Sequence, residues 1–149
     1  IVMSLCVCGS NLKNENCCAP LHAGAKAPTA LALMRARYSA YASGNIDFVE
    51  RTCTQELREE FNRLDAERYA EEAEWLGLKI LRTVDGSESD EKGQVEFMTH
   101  YRHQGQILHQ HELASFQRID GEWLYSAYEI NPKKTPVLNE NKIGRNDPC

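Results

Sequence analysis

The feature that most constrains this chain is a cluster of cysteines at its start. Four of its six cysteines lie within the first eighteen residues, at Cys6, Cys8, Cys17 and Cys18. Thiolate is the ligand that zinc prefers in closed tetrahedral sites, and four thiolates complete one. A segment this short buries almost no apolar surface, so we expect it to fold only around a metal ion. The spacing therefore predicts a zinc knuckle, and the alternative that it leaves open is four reduced thiols in a mobile segment.

A disulfide framework is the other common use of clustered cysteines, and the sequence argues against it. Cys17 and Cys18 are adjacent, and a disulfide between neighbours strains the peptide that joins them. The opening Ile1-Val2-Met3 is too short for a secretory signal, so an oxidising compartment is not indicated. Gly9 and Ser10 suit a metal site instead, because glycine permits a sharp turn and the serine can give a hydrogen bond to a sulfur.

The bulk composition is typical of a soluble globular protein. The 149 residues carry a formal net charge of -5, whereas a surface that binds nucleic acid or membranes needs a concentrated basic face. No apolar run approaches the roughly 20 residues that a membrane span requires. We therefore expect a cytoplasmic protein with room for one ordinary domain and a small appendage.

The middle of the chain begins with helical periodicity. Apolar residues recur at helical spacing after Pro28-Thr29, and Gly44 ends the pattern, which predicts a helix between them. A short helix over 46–51 follows, and then a longer one over 55–70. The predicted apolar stripe of the longer helix comprises Leu57, Phe61 and Leu64.

The second half has the alternation that is typical of strands. We predict strands over 76–84, 95–103, 107–119 and 122–128, with Asp120-Gly121 as a two-residue hairpin turn. Helices followed by an antiparallel meander indicate an α+β domain whose helices pack on one face of the sheet. In the second strand, one face is predicted to carry Val95, Phe97, Thr99 and Tyr101.

The cysteine segment resembles a known motif. Cys6-x-Cys8-Gly9-Ser10 followed by Cys17-Cys18 is similar to the SEC-C motif, the zinc-binding tail of the SecA preprotein translocase ATPase. The last six residues, GRNDPC, resemble the opening of a second copy, which in the family continues to further cysteines. This chain stops at Cys149, so the second site is incomplete as given and Cys149 alone cannot hold zinc.

The layout of two SEC-C motifs around an α+β domain resembles the YchJ-type family of uncharacterised bacterial proteins. The segments LMRARYSAY at 33–41, EWLGL at 74–78 and GEWLY at 121–125 are similar to that family. The resemblance implies an NTF2-like (cystatin-like) cone of helices packed on a curved antiparallel sheet. It divides the chain into a zinc-binding motif (1–24), the NTF2-like domain (25–130), and a linker with the start of a second motif (131–149). It implies no biochemical role.

NTF2-like cones often enclose a pocket, and four residues are candidates for one here. His109 and His111 lie two apart on a predicted strand and so share a face, where they could bind a metal or a substrate. Arg35 and Arg37 border the apolar stripe of the first helix and could bind an anion or ligand. The alternatives are surface or rim positions for the histidines and structural charge pairs for the arginines. No catalytic motif is present, so a non-enzymatic role is favoured.

Two functional hypotheses follow. The first is a zinc-binding adaptor whose knuckle docks a protein or ribonucleoprotein partner. Between the cysteine pairs Lys13 is offset by Glu15, so we do not expect this motif to bind nucleic acid. The second is a small-molecule-binding or enzymatic NTF2-like domain with a pocket between helices and sheet. Oxidant sensing through zinc release is a further alternative, and a homodimer through the sheets is compatible with the fold but not required by the sequence.

Overall fold

The structure, a computed structural model, describes residues 5–132 of the chain. Within these residues a single 3₁₀ turn and five helices precede four strands, and no helix is long and apolar enough to cross a membrane. After the 3₁₀ turn at Asn14–Asn16, the elements are α1 (Cys18–His22), α2 (Ala30–Ser43), α3 (Ile46–Arg51), α4 (Gln55–Glu60), α5 (Arg63–Glu72), β1 (Glu74–Asp85), β2 (Lys92–His103), β3 (Gln106–Ile119) and β4 (Glu122–Ile130).

Helix α2 is the central helix, because it packs against α1 as well as against the sheet. Thr29 caps its start, with Oγ1 accepting a hydrogen bond from the backbone N–H of Ala32 at 3.0 Å. Gly44 ends it in the left-handed conformation, with a φ of 80°. Both signals were predicted from the sequence. Since two layers cover this helix, residues on several sides of it are fully buried, including Ala36 and Ala40.

The four strands form one antiparallel sheet in the order β1-β2-β3-β4. Asp120 and Gly121 turn the chain between β3 and β4 with positive φ angles of 53° and 81°, as a two-residue hairpin requires. Register shifts in β1 and between β3 and β4 bend the sheet around the helices. The predicted inner face of β2 is confirmed by the burial of Val95, Phe97, Thr99 and Tyr101.

The long helix predicted over 55–70 is wrong, because the structure divides it into α4 and α5. The side chain of Asn62 accepts a hydrogen bond from the backbone N–H of Asp65 at 3.0 Å and so starts a new helix. The change of direction breaks the predicted stripe. Leu64 is 76% exposed, whereas Phe61 is half-buried against the core.

The cysteine-rich segment belongs to the same hydrophobic core as the rest of the domain. Cys6, Cys8 and Cys18 are buried together with Leu21 of α1 and with Leu33 of α2. Apolar contact of this kind couples the stability of adjoining segments. The segment is therefore packed into the fold rather than appended to it.

Candidate metal centre and cavity

The cysteine-rich segment forms a tight loop in front of α2. The backbone N–H of Cys6 donates to the carbonyl of Leu12 at 2.7 Å and closes the loop. Gly9 has a φ of +84°, in the left-handed region that favours glycine. A Cβ atom at this position would lie 3.4 Å from the carbonyl oxygen of Leu78. Glycine thus allows both the turn and its close approach to β1.

The four thiols of the loop converge on one point. The Sγ atoms of Cys6, Cys8, Cys17 and Cys18 all lie within 4.8 Å of one another. The Cys8–Cys17 and Cys17–Cys18 sulfur distances are 3.6 and 3.8 Å. Four sulfurs at about 2.3 Å from a tetrahedral zinc ion would be separated by about 3.8 Å. All four cysteines are reduced. The donor set and its spacing therefore fit a tetrahedral metal site.

The charges of these thiols also favour a cation between them. The pKa of Cys8 is lowered to about 4, chiefly because the thiol of Cys18 donates a hydrogen bond to its sulfur. The same hydrogen bond raises the pKa of Cys18, and burial raises the pKa of Cys17. The negative charge of Cys8 opposes ionisation of both neighbours. A metal ion would relieve this repulsion, since its positive charge stabilises several thiolates at once.

Two polar side chains surround the sulfurs. The hydroxyl of Ser10 lies 3.1 Å from the sulfur of Cys17. Arg35 donates from Nη1 to the carbonyl of Cys8 at 2.8 Å, and the same nitrogen lies 3.9 Å from the Cys8 sulfur. Hydrogen bonds of this kind orient metal ligands and temper their charge. Arg35 therefore ties the loop to α2.

Arg35 does not line the cavity that was predicted for it, but Arg37 does. Residues two apart on a helix are rotated by about 200°, so the two side chains leave α2 in nearly opposite directions. Arg37 is buried and donates from Nη1 to the carbonyl of Val49 at 2.8 Å and to Oγ1 of Thr52 at 2.7 Å. Its guanidinium lies 4.2 Å from the centre of the Tyr125 ring.

The cavity has a volume of about 730 Å³ and lies between the inner face of the sheet and helices α2, α4 and α5. Glu112 is a buried acid on its sheet side and accepts a hydrogen bond from the Tyr125 hydroxyl at 2.6 Å. Burial raises the pKa of Glu112, although the hydrogen bond from Tyr125 and the charge of Arg37 oppose this shift. Buried ionisable groups that converge on a cavity are typical of a ligand site.

Sequence reasoning missed Glu112, although a signal was present. Glu112 has the same parity as Ala114 and Phe116, which are buried on the inner face of β3. An acidic residue at a position of inward parity is unusual and indicates either a buried partner or a site. Only histidines and arginines were predicted from the sequence as pocket residues.

The two predicted histidines share a face, as expected, but it is the face opposite the cavity. His111 Nε2 lies 2.6 Å from the carboxylate of Glu96 across β2 and β3. His109 lies opposite His100, and their Nδ1 atoms are 2.5 Å apart. Neither His109 nor His111 lines the cavity. Alternation fixes which residues lie together, but the identity of the covered face depends on where the helices pack.

The last predicted site residue, Cys149, lies outside the described residues. The beginning of the predicted linker is described as far as residue 132, where the chain leaves β4.

Comparisons with known proteins identify a family with this architecture. The profile of the YchJ middle NTF2-like domain matches residues 29–127. The chain is 40% identical to a UPF0225 protein of Geobacter sulfurreducens over 148 residues. This alignment covers 98% of this chain and 90% of that protein.

Solved structures share the fold. The solution structure of a SEC-C motif containing protein from Rhodopseudomonas palustris superposes with a TM-score of 0.75 at 35% identity, over 83% of this chain and 96% of that one. The crystal structure of a SEC-C motif containing protein from Psychrobacter arcticus gives a TM-score of 0.73 at 25% identity, over 87% and 84% of the two chains. With the matched profile and the Geobacter relative, these likenesses show that this chain belongs to the YchJ-type (UPF0225) family, whose middle domain is NTF2-like.

Proposed function

We propose that this protein is a zinc-binding interaction protein whose cysteine loop docks onto a protein partner. The convergence of four reduced sulfurs supports the metal, and zinc is the ion that best suits four thiolates in a tetrahedral arrangement. Four thiolates leave no open coordination position for activating water. The proposed role of the zinc is therefore structural, in the bacterial cytoplasm.

The observation that carries the docking role is a set of exposed apolar side chains on the loop. Leu5, Val7 and Leu12 are 57%, 58% and 52% exposed, although they lie within eight residues of one another. Clustered exposed apolar side chains are typical of surfaces that contact other proteins. The basic charge of Lys13 is offset by Glu15, so this surface suits a protein, or the protein component of a ribonucleoprotein, better than a phosphate backbone.

Elemental analysis of the purified full-length protein tests the metal. We expect about one zinc ion per described cysteine cluster in the wild type and none in Cys8→Ser, because three thiolates bind zinc far more weakly than four. Cys53→Ser is the matched control, since Cys53 is buried outside the cluster. If wild-type protein that is purified under reducing conditions contains no metal, the proposal is refuted.

Affinity purification from a bacterial lysate tests the docking surface. The double variant Val7→Ser with Leu12→Ser removes exposed apolar groups without touching a sulfur. Ile107→Ser is the control, because Ile107 is comparably exposed but lies on β3. We expect the wild type and the control to retain the same co-purifying proteins and the double variant to lose them. An unchanged set in the double variant would exclude this surface.

The cavity favours a second function, the binding of a small molecule by the NTF2-like domain. Its volume of about 730 Å³ lies within the usual range of small-molecule sites, roughly 300–1,000 Å³. Arg37, Glu112 and Tyr125 place polar groups on the wall, which also carries a cluster of aromatic rings. Native mass spectrometry of protein purified without denaturant tests this function. A bound small molecule in the wild type that is absent from the cavity-filling variant Ala66→Trp is the expected result.

A further inference from the structure

We propose that the cavity binds a small organic cation, with an ammonium group held against tyrosine and tryptophan rings and facing Glu112. This inference rests on the second function proposed above. It names the chemical class of the ligand, which follows from two properties of the wall: its aromatic rings and its excess of carboxylates.

The aromatic rings form a continuous cluster around Trp75. The centre of the Trp75 ring lies 5.5 Å from that of Tyr101, 5.9 Å from those of Tyr41 and Tyr69, and 6.0 Å from that of Tyr38. All five residues line the cavity. Aromatic faces carry negative electrostatic potential and attract cations, most strongly when the site is shielded from water. Tryptophan and tyrosine are the rings best suited to this interaction.

The charged groups on the wall add to this preference. Four acidic residues line the cavity against two arginines, and one of the acids, Glu72, lies 3.1 Å from Nε2 of His103, which also lines it. Arg68 on α5 pairs with Asp65 at 2.5 Å, so one of the two positive charges is neutralised within the wall. The acidic residues are Glu60, Asp65, Glu72 and Glu112.

The other positive charge, on Arg37, is already engaged. Its Nη1 donates to Val49 and Thr52, and its guanidinium lies over the Tyr125 ring. Arg37 thus acts as a buried structural cation, in the manner that guanidinium groups commonly stack on rings. An anionic ligand would have to displace part of this arrangement and lie among carboxylates, whereas a bound ammonium group would join Arg37 in favouring the ionised form of Glu112, whose pKa burial raises.

The size of the cavity indicates more than a head group. A volume of about 730 Å³ far exceeds that of a lone ammonium ion, so the remainder would hold an apolar body beside residues such as Phe61 and Phe97. The class is therefore an amine or quaternary ammonium compound with an apolar portion.

Three probes of nearly equal shape test the charge preference in the wild-type full chain. Choline carries a trimethylammonium group, 3,3-dimethylbutan-1-ol is its uncharged isostere, and 3,3-dimethylbutanoate is the corresponding anion. Binding is followed by the NMR signal of the Trp75 indole N–H, which donates to the carbonyl of Ala70. We expect choline to bind about tenfold more tightly than the alcohol, and the anion more weakly than either.

The variant Glu112→Gln keeps the shape of the side chain and removes its ability to carry a negative charge. We expect this variant to bind choline about fivefold more weakly, or weaker still, and to bind the alcohol with unchanged affinity. Glu129→Gln is the matched control, because Glu129 is an exposed β4 residue that does not line the cavity. If the Glu112 variant fails to fold, the three-probe comparison in the wild type still decides the question.

The other outcomes distinguish failure of the cation preference from failure of the proposed ligand-binding function. Equal binding of choline and the alcohol, or tighter binding of the anion, would overturn the cation preference and leave a ligand-binding cavity. No response to any of the three probes would overturn the cation preference, and native mass spectrometry without a bound small molecule would then remove the second function as well.

Discussion

Arg35 and Arg37 lie two residues apart on one helix and have different tasks. Arg35 reaches outward to the carbonyl of Cys8, whereas Arg37 reaches inward to Val49 and Thr52. Each neutralises or orients groups that would be costly to bury alone. Because α2 lies between the cysteine loop and the cavity, its two arginines make it the structural link between the proposed metal site and the proposed ligand site.

Glu112 leads to a prediction about stability and pH at the same scale. Burial raises its pKa above the ordinary value of 4.5. The folded state therefore binds this proton more tightly than the unfolded chain does. The stability that Glu112 contributes is complete below pH 4.5 and is lost as the pH rises through the raised pKa. Glu112→Gln should remove this loss of unfolding free energy, which amounts to at most about 1.4 kcal/mol per pH unit across that window.

Urea unfolding of the wild type and Glu112→Gln at a series of pH values measures the effect. The difference in unfolding free energy should move in favour of the variant as the pH rises. Glu129→Gln serves as control and should give a constant difference, since Glu129 is exposed. If the difference in unfolding free energy between the wild type and Glu112→Gln is also constant with pH, then the folded and unfolded states bind this proton equally.

At the scale of elements, the break between α4 and α5 makes a testable distinction. Asn62 caps α5, so Asn62→Ala should cost about 1 kcal/mol of unfolding free energy. Leu64 is 76% exposed, so Leu64→Ser should change stability by less than about 0.5 kcal/mol. Thermal and urea unfolding measure both. One continuous helix with Leu64 in its apolar stripe would reverse this order, with a cost of several kcal/mol at Leu64.

The same elements show what could be predicted from the sequence and what could not. Helix α2 and the hairpin at Asp120-Gly121 were predictable because their caps and turn residues act locally. The end of α4 was not, since the apolar spacing of Leu57, Phe61 and Leu64 suits one helix and the cap at Asn62 outweighs it. Local signals agree with the fold where they are unopposed, and where two compete, as the apolar spacing and the cap do here, the sequence alone does not rank them.

The site was predictable to the same extent. Crowding of the cysteines indicated the loop, because a cysteine cluster within eighteen residues is a local feature. The cavity depends on which sheet face the helices cover, a property of the tertiary structure, and this is why His109 and His111 were candidates while Glu112 was not.

At the scale of the whole molecule, the shared core predicts that metal binding and folding are coupled. Cys8 is fully buried, and the loop packs with Leu21 and Leu33. We therefore expect chelation to lower the unfolding temperature of the whole chain and not only to disorder the cysteine loop. A ligand that binds only the folded state stabilises it by about 4 kcal/mol at a thousand times its Kd.

Hydrogen exchange of the full-length protein with and without chelator measures how far this effect extends. We expect protection to fall in the cysteine loop and also in α2, which the loop covers, and to return when zinc is restored. Cys8→Ser should resemble the chelated wild type, whereas Cys53→Ser should respond to chelator as the wild type does, because Cys53 is not in the cluster. If exchange changes only in the loop, the NTF2-like domain folds without it, and the contact between Arg35 and Cys8 positions the metal site without supporting the domain.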